Sequence, residues 1–165
     1  MYRILLGVAT ALIAFTACQR SAADARPGST PIFREIFVIG DTLRLGQVWR
    51  GAAALRAAPA DSIVALRRGT FAGPASISVH LSRGDTVKAL SFEYAPSASY
   101  EAMVAEYTQS LGRPLRRVHV PNPGNGPSDI AVWEDRQTSL RLMRGEVGGV
   151  SRVASALFDR RLTAQ

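Results

Sequence analysis

SISVHLSRGDTVKALSFEY, residues 76–94, reads as two short strands folded back on a single turn. Gly84-Asp85 is the turn signal, because both residues tolerate the positive φ that tight hairpin turns require. A two-residue turn there pairs Arg83 with Thr86. Counting outward sets Ile77 against Phe92 and Val79 against Leu90 on one face, with Ser78 against Ser91 and His80 against Ala89 on the other. Turn chemistry and apolar alternation agree on this register, and a slip of one residue would turn every apolar side chain to the wrong face. His80 therefore falls on the polar face. Arg83-Gly84-Asp85 is explained as a turn rather than as an adhesion motif.

The same logic applies to DIAVWEDRQTSLRLMRG, residues 129–145. A turn centred on Arg136-Gln137 places Trp133 opposite Leu140 and Ala131 opposite Leu142. The reverse face pairs Val132 with Arg141 and Ile130 with Met143, a mixture of apolar and basic groups. A glycine-rich turn, GEVGG, then leads into one more strand, VSRVASALFD, residues 150–159. Upstream, IFREIFVIGDTLRLG, residues 32–46, is β-rich with a tight turn expected at Gly40-Asp41.

Two segments carry helical periodicity. In SASYEAMVAEYTQSLGRP, residues 97–114, the side chains Tyr100, Met103, Val104, Tyr107 and Leu111 form one apolar stripe. Ser97 or Ser99 can cap its start, Glu101 suits the positive end, Gly112 suits the residue after the last turn, and Pro114 forbids continuation. Such a stripe is expected in a core rather than at a cofactor. In QVWRGAAALRAAP, residues 47–59, Val48, Ala52 and Leu55 share a face, which predicts a shorter helix closed by Pro59.

Together these elements predict an α+β fold, an antiparallel sheet with two helices packed on one face. The halves also align as a tandem α-β-β-β unit, residues 42–95 and 97–160, within one domain spanning 32–165.

The amino terminus tells a separate story. Arg3 precedes an uncharged run from Ile4 to Ala17, too short to span a bilayer but suited to the apolar core of a secretory signal. Ala14-Phe15-Thr16-Ala17-Cys18 resembles the bacterial lipobox, in which a small residue precedes a cysteine whose sulfur receives a diacylglycerol and whose amine, exposed by cleavage, is often acylated too. That resemblance implies a signal peptide at 1–17, a lipid on Cys18, and a flexible tether through residue 31. Two or three acyl chains hold firmly where a single chain binds only marginally, at about 0.8 kcal/mol per buried CH₂. The alternative is cleavage after Ala25 at Ala23-Asp24-Ala25, which would discard the cysteine. Gln19 follows Cys18; in the Gram-negative lipoprotein family an aspartate there marks inner-membrane retention, so its absence implies the periplasmic face of the outer membrane.

The formal charge is +7, from 20 basic and 13 acidic residues. Such a balance can suit nucleic acid or anionic lipid. Export removes most nucleic acid from reach, and the arginines are scattered rather than clustered, so a solvated basic surface is the plainer account.

The inventory for catalysis is thin. His80 and His119 are the only histidines, and there is no HxxxH, HxxE or G-x-S-x-G spacing. His119, in RRVHVPNPGNGP, is expected on an edge strand facing solvent. Asp129, Glu134 and Asp135 are expected to make surface ion pairs with Arg136 and Arg144. PNPGNGP has no following phosphate-binding helix. No cofactor or metal is expected.

Over the two helix regions and the order of elements, LRLGQVWRGAAALRAAP and the LGRP of 111–114 resemble the small outer-membrane assembly lipoproteins and the related tandem-repeat β-lactamase-inhibitor-protein fold. Gln47, Val48 and Ala57-Ala58 depart from that pattern. The resemblance implies helices on one face of an antiparallel sheet, export, and action by binding other proteins. On this reading the chain is a non-catalytic envelope lipoprotein with an envelope protein as partner. The expected contact surface is the sheet face away from the helices, at Val132, Arg141 and Met143. A peripheral lipid-surface protein and a hydrolase using His119 are the competing readings.

Overall fold

The computed structural model describes residues 30–38, 41–51, 63–66, 73–82, 84–121 and 128–163. Strands β1 (Glu35–Val38) and β2 (Asp41–Arg44) pair as a separate hairpin. The remaining strands are β3 (Ile63–Ala65), β4 (Ser76–Leu81), β5 (Val87–Glu93), β6 (Arg116–Val120), β7 (Ser128–Glu134), β8 (Thr138–Val147) and β9 (Val150–Asp159). They form one seven-stranded antiparallel sheet in the order β3-β4-β5-β9-β8-β7-β6. Helix α1 (Tyr100–Leu111) links β5 to β6, and the short α2 (Arg160–Thr163) ends the described chain. The fold is α+β, as the hairpin registers require.

The meanders β3-β4-β5 and β7-β8-β9 meet through their last strands. At that seam Leu90 faces Leu157, and Leu157 in turn faces Leu140 across β8. The row continues to Val79 on one side and Trp133 on the other. Leu90, Leu140 and Leu157 are fully buried, each contributing about 1.5–3 kcal/mol by removal from water. Helix α1 lies on this face. Its N-cap is Ser99, whose Oγ accepts from the Ala102 amide at 3.3 Å, and it ends at Gly112 with φ +84°. Tyr100 and Val104 are buried, while Met103, Tyr107 and Leu111 pack at the core margin. The Trp133 indole fixes the helix end, donating to the Gly112 carbonyl at 2.9 Å and meeting the Tyr107 ring edge-on at 5.6 Å.

The hairpin turns differ from expectation in detail. Ser82 N donates to Thr86 O at 2.9 Å, so three residues rather than two make the first turn. Leu81 pairs with Val87, and a bulge at Lys88 restores the predicted register from His80–Ala89 onward. Gly84 and Asp85 both take positive φ, 75° and 61°. The bulge re-aims the strand start: Gly46 N donates to Val87 O at 2.8 Å, Val87 N to Gln47 O at 2.9 Å, and Trp49 N to Asp85 O at 2.9 Å. That pairing overturns one expectation, because Val48 lies in a β-bridge opposite Thr86 and not on a helix. The rest of the predicted first helix, residues 52–59, falls outside the described residues, as do the signal, Cys18 and the tether to residue 29. In β1-β2, Asp41 is already the first residue of β2, facing Val38, and so is not a turn residue as expected; Gly40 falls outside the described residues. The second large hairpin, β7-β8, has the predicted pairs throughout.

The first described residues are bound to the far end of the described chain. Ile32 N donates to Asp135 Oδ2 at 2.8 Å. Arg34 reaches Thr138 Oγ1 at 2.9 Å, Leu45 O at 3.1 Å and Asp159 Oδ2 at 2.5 Å. Asp159 is fully buried and also accepts from Arg161 Nη2 at 2.7 Å.

Candidate functional site

Three places on this frame carry chemistry. The first is the sheet face turned away from α1, where register places Val132, Arg141 and Met143 side by side. Arg141 is exposed, with its guanidinium 4.9 Å from the centroid of the Phe158 ring. Met143 is half-buried. Val132 corrects the expectation: it is only 2% exposed and offers no contact surface of its own. Register sets it between Arg116 of β6 and Arg141 of β8, in the interior of the sheet rather than at its edge. Among the described residues, the exposed apolar groups on this face include Ile63 of β3, 63% exposed, and Val118 and Val120 of β6, 40% and 42% exposed. All five residues of that edge strand are exposed. The cue was present in the valine alternation of RRVHV, but exposure depends on where a strand lies in the sheet.

The second place is a cluster around Asp129. The sequence places His119 alone at a solvent edge, yet its Nδ1 lies 2.9 Å from Asp129 Oδ1. Arg144 Nε donates to the other carboxylate oxygen at 2.9 Å, and its guanidinium stands 5.1 Å from the centroid of the Tyr100 ring. Hydrogen bonds from His119 and Arg144 hold the Asp129 carboxyl below its ordinary range. The Asp129–Arg144 pair matches expectation. Glu134 instead pairs with Arg160 at 3.6 Å, and Asp135 Oδ1 caps the β7-β8 turn by accepting from Gln137 N and Thr138 N, each at 2.7 Å. His80 bonds Ser91 Oγ at 2.8 Å on the polar face, and burial followed by the nearby Lys88 charge lowers its pKa. Among the described residues no group of three or more His, Cys, Asp or Glu side chains is placed to hold a metal ion.

The third place is absent from any reading of the sequence. The β1-β2 hairpin and α1 both cover the core face but leave a groove of about 440 Å³ between them. Phe33 and Phe37 form one wall, Phe92 and Tyr94 the floor, and Met103, Glu106 and Tyr107 the other wall. Phe37 is 75% exposed at the mouth. The floor is fixed by hydrogen bonds: Tyr94 Oη lies 2.9 Å from Ser155 Oγ and 3.4 Å from Tyr107 Oη. Burial, then the Tyr94 neighbour, raises the Tyr107 pKa, so that hydroxyl stays neutral and able to donate.

No protein-family model matches the chain, and no curated protein or solved structure is similar to it.

Proposed function

We propose that this chain is a lipid-anchored, non-catalytic protein of the cell envelope that docks another protein on the sheet face turned away from α1. The supporting observation is the composition of that face: an exposed Arg141 stacked on Phe158, beside Met143 and the exposed valines of β6. Arginine and aromatic groups set among apolar ones are the residues on which interface energy concentrates. The anchor supplies location, and the clamp at Arg34 supplies a firm attachment of tether to sheet. In-cell crosslinking of the tagged full chain tests the reading. One dominant envelope partner, lost with Arg141→Glu, is expected; equal recovery from the variant removes the site. Mass spectrometry of the mature amino terminus tests the anchor, and a chain starting unmodified at Arg26 would exclude it.

A second reading has one observation in its favour, the His119–Asp129 contact of 2.9 Å. A base oriented by a carboxylate is half of a hydrolytic constellation. Here Asp129 is shared with Arg144, which makes the trio a hydrogen-bonded cluster around an Asp–Arg ion pair at the margin of the sheet. A hydrolytic role requires that His119→Ala abolish a turnover measurable in the parent protein. A purely lipid-surface role requires salt-sensitive binding of the unanchored domain to anionic vesicles.

A further inference from the structure

The groove between the β1-β2 hairpin and α1 has a composition unlike the rest of the surface. Aromatic rings from three separate elements converge on it: Phe33 and Phe37 at β1, Phe92 and Tyr94 at the end of β5, and Tyr107 on α1. A ring presents its negative π face or its positive edge, and a cation placed over the faces is attracted by each. On a chain whose formal charge is +7, the one charged residue among the described lining is an acid, Glu106. Its carboxylate is exposed and makes no hydrogen bond or ion pair with any described residue. The volume, about 440 Å³, falls within the range of roughly 300–1,000 Å³ typical of small-molecule sites.

We propose that this groove is a binding site for a small organic cation with an apolar body, an alkylated or aryl-substituted ammonium compound. The apolar body lies on Phe92 at the floor and against Met103 in the wall, and the ammonium group sits at the mouth between the Phe37 ring and Glu106. Two features preorganise the site. Tyr94 and Tyr107 are held by the hydroxyl chain to the buried Ser155, and Tyr107 is braced from behind by Trp133. These two rings therefore need little ordering on binding, which is a main cost of capture. An anionic ligand of the same shape meets the Glu106 carboxylate and is repelled, although the net charge of the protein would favour it. Local charge and global charge point in opposite directions here, which makes the selectivity a sharp test. The site is independent of the sheet face proposed for protein docking, since it lies on the opposite side of the sheet.

The test uses the full chain, labelled with ¹³C at the methionine methyls and carried in phosphatidylglycerol nanodiscs, with empty discs as blank. Benzyltrimethylammonium is titrated as the cationic probe and phenylacetate as the anionic one. The Met103 methyl reports the groove, and the Met143 methyl, on the other face of the sheet, is the internal control. The expected result is a saturable shift of Met103 alone with the cation, and at least tenfold weaker binding of phenylacetate. Glu106→Gln and Phe37→Ala should each weaken the cation at least threefold. Both side chains are solvent-exposed, so an unchanged Met143 signal and melting temperature will attest to an intact fold. Equal response to phenylacetate, undiminished binding in Glu106→Gln, or no saturable shift of Met103 each overturns the proposal.

Discussion

Asp159 is the residue on which the two ends of the chain depend. It is fully buried, and an isolated carboxylate there would be expelled or neutralised. Burial alone pushes its pKa up, but hydrogen bonds from Arg161 and Arg34 prevail and bring it down to about 2. The sign of the pH effect follows. A carboxyl whose folded pKa lies below its unfolded value of about 3.9 stabilises the fold above that value. The contribution is lost as pH falls through 4 towards 2, so denaturant midpoints measured from pH 6 to pH 2 should drop mainly in that window. Asp159→Ala should flatten that part of the profile. Its own cost should be about 3 kcal/mol at neutral pH, because the partly buried Arg34 loses its counter-charge. Gly46 belongs to the same site: a Cβ there would lie 2.6 Å from Asp159 Oδ2, at a φ of +76° that favours glycine. Arg141 sets the other prediction at this scale, since Arg141→Glu reverses the exposed charge over Phe158 while leaving the core face untouched.

Helix α1 and the hairpins act as units. The helix of 12 residues is too short to persist alone, and it is held by its cap, its buried stripe and Trp133. Ser99→Ala removes the acceptor for Ala102 N and should cost about 1 kcal/mol in a thermal or urea melt. At this scale the sequence was largely legible. The register of β7-β8 follows from a four-residue turn and an apolar alternation, both contained in residues 129–145. The β4-β5 register was equally readable in its body, because a bulge at Lys88 compensates for a turn one residue longer than expected. The expectation that a helix spans residues 47–59 failed at its start, over the described residues 47–51, for a reason external to the segment. Gln47 and Trp49 find backbone partners at Val87 and Asp85, some 40 positions away in sequence, and strand pairing there outweighs a weak local preference for helix.

At the scale of the whole molecule, the β5-β9 pairing makes one sheet from two meanders. Leu157 stands at that seam with Leu90 on one side and Leu140 on the other, all fully buried. Leu157→Ala should cost about 3–4 kcal/mol. The loss should appear as a single cooperative transition by near-UV and far-UV circular dichroism alike; two separated transitions would mean that the meanders melt independently. The groove and its cation selectivity also belong to this scale, because Phe37, Phe92 and Tyr107 come from three elements and meet only when the hairpin and α1 dock on the same face.

The sequence by itself determined the body of the β4-β5 register, the β7-β8 register, the limits of α1 and the α+β class. Each of these rests on neighbours within about 20 residues, where turn chemistry and period are explicit. Only the tertiary structure decided that β5 meets β9, that Arg34 reaches Asp159, that Val132 is covered while Val118 is bare, and that His119 has a carboxylate beside it. Those outcomes depend on which apolar face buries which. Hydrophobic attraction is proportional to area and carries no direction, so it leaves no mark in the sequence of where its partner lies.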